Sequence, residues 1–466
     1  MSHGVQTRVT VGVGTHAEGV VVSADRGIVT YRRDAMGFGL AALNRIAGSS
    51  VIDRLGIRKP TERVVFEATK SGFRTLGAVN RTFVKKRGGG AASRTQYGPR
   101  TGVFDLTPTD DQQMIVSVVK EFAADVVRPA AEKAEEACAT PDEILQQAAE
   151  LGLPLLEVPD DLGGLDDQRT TTTGVLAAAA LAHGDMGLAL SCLAPASVAT
   201  ALSLWGSAEL QQTYLPAFTG ANLPAAALAV AEPVALFDPL SLTTTATRSS
   251  AGYVLNGVKS AVVRGADAEL FVVAAELDGS GPALFVVESG TTGLEVEADP
   301  SMGLRAAALS RIHLDDVQVP ADAVLGDTGQ AAYRECIRLS RLGWCALALG
   351  TAQSVLDYVT PYVKERKAFG EPIAYRQSVA FMVANIGIEL EGMRLATYRA
   401  ASRAEQGLDH AREVAIARRL CSEYGMKIGQ EGVQLLGGHG FVKEHPVERW
   451  YRDLRAVGVM EGALLV

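Results

Sequence analysis

The sequence predicts an α+β protein of several domains: a helical domain, an all-β domain and a second helical domain, preceded by a basic extension. Three observations predict it. The hydrophobic periodicity runs helices, strands, helices, without the βαβ alternation that builds a doubly wound sheet. The chain has 466 residues, of which 47% are hydrophobic and 21% charged, enough for several cores at about 100–200 residues per domain. Charge sets the first hundred residues apart: they hold 17 Lys and Arg against 6 Asp and Glu, whereas the remainder holds 27 against 47. With only 6% aromatics and 48 glycines, the cores must be built mainly from Ala, Val and Leu.

The extension covers residues 1–104. Val9 to Val29 is rich in Gly and Val with partial alternation, a short hairpin or a loose arm. Thr61 to Arg87 predicts a helix, capped by Thr61, with Phe66, Phe73, Leu76, Val79 and Phe83 at helical spacing and Arg63, Lys70, Arg74 and Arg81 between them. A basic amphipathic helix suits a membrane surface or a partner groove, and equally a docking site on the same chain. Gly88–Gly90 opens a linker that ends near Gly102.

Residues 105–222 predict the first helical domain. Asp110 and Asp111 precede the run Ile115, Val118, Val119, Phe122 and Val126, and Pro129 is expected to end that helix. Val158 to Gly164 is a loop by its Pro and Gly content. Met186 to Ala208 carries no charge and is long enough to span a bilayer. It contains Ser191, Pro195, Ser197, Thr200 and Ser203 and is rich in Ala, which predicts a helix buried between helices instead.

Residues 223–326 predict the β domain, from the runs Leu228–Val230, Tyr253–Leu255, Leu270–Ala274, Leu284–Val287 and Ile312–Leu314 separated by Gly, Asn, Asp and Pro. Residues 327–466 return to helices, at Tyr333 to Val363, Gln377 to Gln406 and Leu408 to Leu436.

Several chemistries are excluded. The acidic body repels a phosphate backbone, so no nucleic acid is expected. The five cysteines, Cys138, Cys192, Cys336, Cys345 and Cys421, form no CxxC pair. With no apolar secretory segment in view, they predict a reducing, cytoplasmic setting, peripheral to a membrane where residues 61–87 engage one. There is no GxGxxG, GxSxG or HExxH, and Gly252 to Ser260 has one residue too many for a P-loop. His439 and His445 are the one close histidine pair and sit in a Gly/Pro segment, so no metal site is expected.

The carboxyl-terminal half is more specific. Arg366-Lys-Ala-Phe-Gly-Glu-Pro-Ile373 with Gln377, Gln434-Leu-Leu-Gly-Gly-His-Gly-Phe441, Arg452-Asp453 and Glu461-Gly462 occur in that order. Upstream lie Val158-Pro159, Gly163-Gly164, Tyr214-Leu-Pro216, Ala231-Glu-Pro233, Asn256-Gly257 with Lys259, Met302-Gly303 and Asp316-Val-Gln-Val-Pro320. Over about residues 105–466 this pattern resembles the acyl-coenzyme A dehydrogenase family. The resemblance implies a middle β-barrel or sandwich and a C-terminal four-helix bundle, FAD as cofactor, and α,β-dehydrogenation of a fatty acyl-CoA to the trans-2-enoyl-CoA. It also implies an electron-transfer flavoprotein as partner and a homo- or hetero-tetramer with FAD bridging neighbours.

The site residues follow from the same resemblance. Removing the hydrogen next to a thioester carbonyl needs a base, a polarised carbonyl and a hydride acceptor. Glu461 is implied as the base, with Gly462 beside it, and Arg341, 25 residues before Arg366, as the substrate-side arginine. Leu228, Val230 and Ala231 are implied to lie along the flavin ring. Arg366, Phe369, Gln377, Gln434, Gly437 and Gly438 are implied to hold the adenine-diphosphate half of FAD across a subunit interface. Departures stand beside these matches. Val234-Ala-Leu-Phe-Asp238 replaces a Gly-rich loop, Ala231, Ala261 and Val263 stand where hydroxyl or indole groups are usual near the ring, and Met460 and Ala463 replace Tyr and Thr. They motivate a second reading, a non-catalytic or half-catalytic subunit lending adenine-side contacts to a partner.

Overall fold

The computed structural model describes residues 108–164, 170–220, 222–326 and 330–464. The readings made for residues 1–104, including the helix at 61–87, lie outside the described residues.

Helix α1 (Asp110–Phe122) starts at a capping box, in which Thr109 Oγ1 accepts from the Gln112 N–H at 3.2 Å and Gln112 Oε1 accepts from the Thr109 N–H at 3.1 Å. Asp110 and Asp111 therefore sit in the first turn, where the helix dipole favours them. Pro129 does not end this helix. A π-helical turn, Ala123–Val127, directly precedes α2 (Arg128–Ala137), with the Arg128 N–H bonded to Ala123 O, and the helical backbone runs on through Pro129. After α3 (Asp142–Glu150) come α4 (Thr171–Ala182), α5 (Met186–Trp205) and α6 (Ala208–Tyr214). Asp185 caps α5 through the Leu188 N–H at 3.1 Å. Of the apolar window in α5, 67% is buried inside the protein, as its Ala-rich, hydroxyl-bearing sequence predicts for a core helix.

The β domain is one hydrogen-bonded sheet, ordered β6 (Leu294–Ala298), β7 (Ser310–Pro320), β3 (Gly252–Val262), β2 (Thr245–Ser249), β4 (Leu270–Leu277), β5 (Gly281–Glu288) and β8 (Val324–Leu325). Strand β1 (Ala226–Ala229) adds parallel to β4, Leu228 opposite Val272. The two halves close on a shared core of Leu255, Phe271, Val273, Phe285 and Ile312. Strand β4 is buried on both faces. Phe271, Val273 and Ala275 enter that core, while Leu270, Val272 and Ala274 pack against Val198, Ala199 and Leu202 of α5. A continuous apolar run without alternation is what such a strand requires. Strands β2 and β6 are short and mostly exposed, which is why their sequences lack a pattern.

Helices α7 (Gln330–Glu365), α8 (Gln377–Glu405), α9 (Ala411–Leu436) and α10 (Val447–Leu454) form the last domain. Their core is continuous with α4, since Val175, Leu349, Leu390, Cys421 and Trp450 belong to one buried cluster. Small residues make the approach possible: a Cβ on Gly350 of α7 would lie 2.1 Å from the Ala179 carbonyl oxygen. The Leu408 start read from the sequence shifts to Ala411, the first helical residue after His410.

Candidate active site

Where α5 and α7 meet the β sheet, a cavity of about 200 Å³ opens. Leu190, Leu193 and Ala194 of α5 and Leu339, Trp344 and Leu347 of α7 give it an apolar lining, Leu228, Ala261 and Val263 form the wall on the sheet side, and Glu461 lines it as well. Glu461 is 7% exposed. Its Oε1 accepts from the Ser340 hydroxyl at 2.8 Å, and its buried Oε2 has no hydrogen-bond partner among the described residues. Burial pushes this carboxyl above its ordinary value, against the opposing pull of Ser340, Arg418 and Arg341.

The backbone at Glu461 is held by two arginines. Its φ is +53°, in the left-handed region that costs a non-glycine residue about 1 kcal/mol or more. Arg341 donates to the Glu461 carbonyl from Nε at 3.2 Å and Nη2 at 2.8 Å. Arg418, 5% exposed, donates to the same carbonyl at 3.1 Å, to Met460 O at 2.9 Å and to Gly462 O. Burial, and then the nearby Arg341 charge, lower Arg418 to about 10, so it stays protonated at neutral pH. Gly462 has φ +102°, and a Cβ there would lie 2.5 Å from Pro239 Cδ.

The loop after β1 supports this turn. Phe237 O accepts from the Ala463 N–H at 2.9 Å, and Tyr333 donates its hydroxyl to Pro239 O at 2.5 Å. The loop is tied to β3 by a wholly buried ion pair, Lys259 Nζ to Glu232 Oε1 at 2.8 Å. Thr243 and Thr244 donate further bonds to Glu232. Of the residues that replace the Gly-rich loop, Phe237 is buried and joins the site's turn, while Val234, Ala235 and Leu236 are exposed.

The sequence-derived residues divide into three groups. Glu461, Gly462, Arg341 and Leu228 come together at the cavity or its turn. Val230 is buried in the core with its carbonyl 3.2 Å from Lys259 Nζ, and the Ala231 carbonyl accepts from Ser260 N–H at 2.9 Å. Ala261 donates its N–H to Asp299 Oδ2 at 2.9 Å. Arg366, Phe369, Gln377, Gln434, Gly437 and Gly438 do not line the cavity; all are exposed, Phe369 at 95%. Tyr362, one turn before Arg366, reaches His439 Nδ1 at 3.1 Å, which brings the ends of α7 and α9 together.

Ser340 and Arg418 were missed from the sequence. Ser340, Gly343, Trp344 and Leu347 recur at i, i+3, i+4 and i+7, one helix face lining the cavity. Arg418 falls on the buried stripe of Val414, Ala417, Cys421 and Gly425, and a charge on a core stripe is a signal of a specific partner.

Comparison with known proteins places this architecture. Residues 109–221, 227–317 and 327–464 match the N-terminal, middle and C-terminal domains of acyl-CoA dehydrogenase. The chain belongs to the acyl-CoA dehydrogenase family and is an oxidoreductase of that class. It is 32% identical to the mitochondrial short/branched chain specific acyl-CoA dehydrogenase of Bos taurus, over 79% of this chain and 86% of the relative. Butyryl-CoA dehydrogenase from Megasphaera elsdenii superposes with a TM-score of 0.72 at 28% identity, covering 78% of this chain and 97% of that one. The FAD complex of PigA gives 0.72 at 27% identity, covering 78% and 96%.

Proposed function

We propose that this chain is an FAD-dependent dehydrogenase of fatty acyl-CoA thioesters in which Glu461 takes the α-proton, forming the trans-2-enoyl-CoA. The observation that carries the reading is the buried, unpartnered Oε2 of Glu461 in an otherwise apolar cavity. An orphaned carboxylate oxygen costs free energy unless a ligand uses it.

Leu228, Ala261 and Val263 of the sheet wall would hold the flavin ring, and the apolar residues of α5 and α7 beside Glu461 would take the acyl thioester. Bound FAD supplies the acceptor for the β-hydrogen and its electron pair. The chain's own residues do the rest. A raised carboxyl pKa makes Glu461 a stronger base for a weak carbon acid. Ser340 holds Oε1, which leaves Oε2 to receive the proton. Arg341 and Arg418 fix the main chain from which the side chain projects, and the apolar lining excludes water.

Arg366, Phe369, Gln377, Gln434, Gly437 and Gly438 would hold the adenine end of FAD at a neighbouring subunit. Their exposure supports this, as do Phe381, Ile388 and Leu395, exposed apolar residues seven apart on α8. An electron-transfer flavoprotein accepts the electrons in this reading. The non-catalytic subunit is not favoured, since the relatives matched over most of their length are themselves named as acyl-CoA dehydrogenases. The test is anaerobic titration of the FAD-loaded protein with butyryl-CoA and branched or longer homologues. Bleaching, with a product two hydrogens lighter, is expected; a flavin left oxidised by the whole series would sink the proposal.

A further inference from the structure

We propose that Asp299 is a positioning residue for the flavin: it holds a β-bulge in the sheet wall of the cavity, and so governs how tightly FAD is retained and at what potential it is reduced. The inference rests on the dehydrogenase reading, in which Ala261 and Val263 lie against the ring, and adds the residue that fixes that wall.

Strand β3 pairs with β7 in two registers. Lys259 is opposite Ile312, but Val262 is opposite Ser310, so Ser260 and Ala261 together face the single residue Arg311. That two-against-one count is a β-bulge, a device that re-aims side chains beside active sites. The bulge takes main-chain groups out of the ladder, and both N–H groups find partners elsewhere. Ser260 donates to Ala231 O at 2.9 Å, and Ala261 donates to Asp299 Oδ2 at 2.9 Å. Ala261 has φ +52°, a left-handed conformation that a residue with a Cβ keeps only where its surroundings fix it.

Asp299 is itself held. It follows β6, and its N–H donates to Leu309 O at 2.8 Å. Its other oxygen, Oδ1, accepts from Arg311 Nη2 at 3.0 Å. The residue opposite the bulge therefore supplies the cation that orients the bulge's acceptor. Glu297, opposite Arg311 in the β6–β7 ladder, lies 3.6 Å from Arg311 Nη1 and steadies the guanidinium from the other side.

Two effects of Asp299 can be separated. Its oxygen satisfies the Ala261 N–H, and without that acceptor the bulge and the wall it carries lose their anchor. Its charge stands directly behind a residue of the wall. Reduction adds negative charge to the flavin, so removing the carboxylate charge favours reduction.

The experiment compares the parent holoprotein with Asp299→Ala and Asp299→Asn. Asn keeps an oxygen acceptor and loses the charge, whereas Ala loses both. FAD release is followed as the rise of free-flavin fluorescence on dilution, and the flavin potential is measured against a reference dye. Asp299→Ala should release FAD about tenfold faster than the parent, as the loss of one hydrogen bond to a charged group allows. Asp299→Asn should stay within about twofold of the parent, because its acceptor remains. Both variants should have a potential above the parent's. Where Asp299→Ala yields no folded holoprotein, the potential of Asp299→Asn decides. The inference is overturned if Asp299→Ala retains FAD as the parent does, if Asp299→Asn releases it as fast as Asp299→Ala, or if Asp299→Asn keeps the parental potential. Such results in a protein whose flavin is bleached by an acyl-CoA defeat this inference alone. A parent flavin that no acyl-CoA bleaches defeats the dehydrogenase reading, and neither the release rate nor the potential depends on turnover.

Discussion

The Arg418 guanidinium donates to the main-chain carbonyl of Glu461 at 3.1 Å, from a buried position on α9. Together with Arg341 it secures the backbone of a left-handed residue, so the Glu461 side chain is aimed by its main chain and only one of its oxygens is held directly.

Arg418→Lys and Arg418→Met test this relationship. Both loosen the turn, and misplacement of a reacting group by about 1 Å can cost 10²-fold in rate. Met should lower kcat by about 10–100-fold, with partial rescue by Lys. The Arg418 charge also draws the Glu461 pKa down. Its removal should therefore move the acid limb of the kcat/KM profile to higher pH. A lowered rate with an unmoved limb would mean that Arg418 acts on folding alone.

Ser340→Ala removes the hydroxyl that donates to Glu461 Oε1 at 2.8 Å. This hydrogen bond favours the ionised carboxyl, so its loss should shift the acid limb upward, as with Arg418. The backbone anchor remains, and kcat at the alkaline plateau should fall less than in Arg418→Met. A downward shift of the limb would contradict the assignment.

The Glu232–Lys259 pair predicts how stability depends on pH. Burial pushes Glu232 up, but Lys259 and the Thr243 donors outweigh it and bring it to about 2, below its usual 4.5. A carboxyl lowered in the folded state adds stability that is full above pH 4.5 and is lost as pH falls towards 2. Lys259→Met strands a buried charge and should cost about 3–5 kcal/mol near neutral pH. Urea unfolding of parent and variant at pH 7 and below pH 4.5 checks both statements.

Ile388 is 69% exposed on α8 between Phe381 and Leu395. Ile388→Glu should lower the oligomeric state seen by light scattering and weaken retention of FAD, because the adenine-side residues then lose their neighbour. An unchanged oligomer with unchanged flavin content would place the interface elsewhere.

Much of the architecture is legible in the sequence because apolar periodicity and turn residues are local. The buried run at Leu270–Ala274 and the uncharged stretch at Met186 read correctly for that reason. Pro129, expected to end the first helix, does not, since a π-helical turn just before it carries the helical backbone on into α2. Glu461 follows from an ordered motif series, Arg341 from its spacing to Arg366 and Leu228 from a matching strand, and the fold brings them to one place. Arg418 and Ser340 act through bonds to residues 43 and 121 positions away, and no local pattern encodes those partners. The loop at Val234–Asp238 reads as a departure in sequence, yet Phe237 of that loop carries the bond that secures Ala463.

The most direct test is the stopped-flow rate of flavin bleaching by an acyl-CoA across pH, for the parent and for Glu461→Gln. A positioned base contributes about 10²–10⁴-fold, so Glu461→Gln should be slower by that factor and lose the acid limb, which in the parent lies above the ordinary carboxyl value of 4.5. Bleaching by Glu461→Gln at the parental rate, with the same acid limb, would contradict the account.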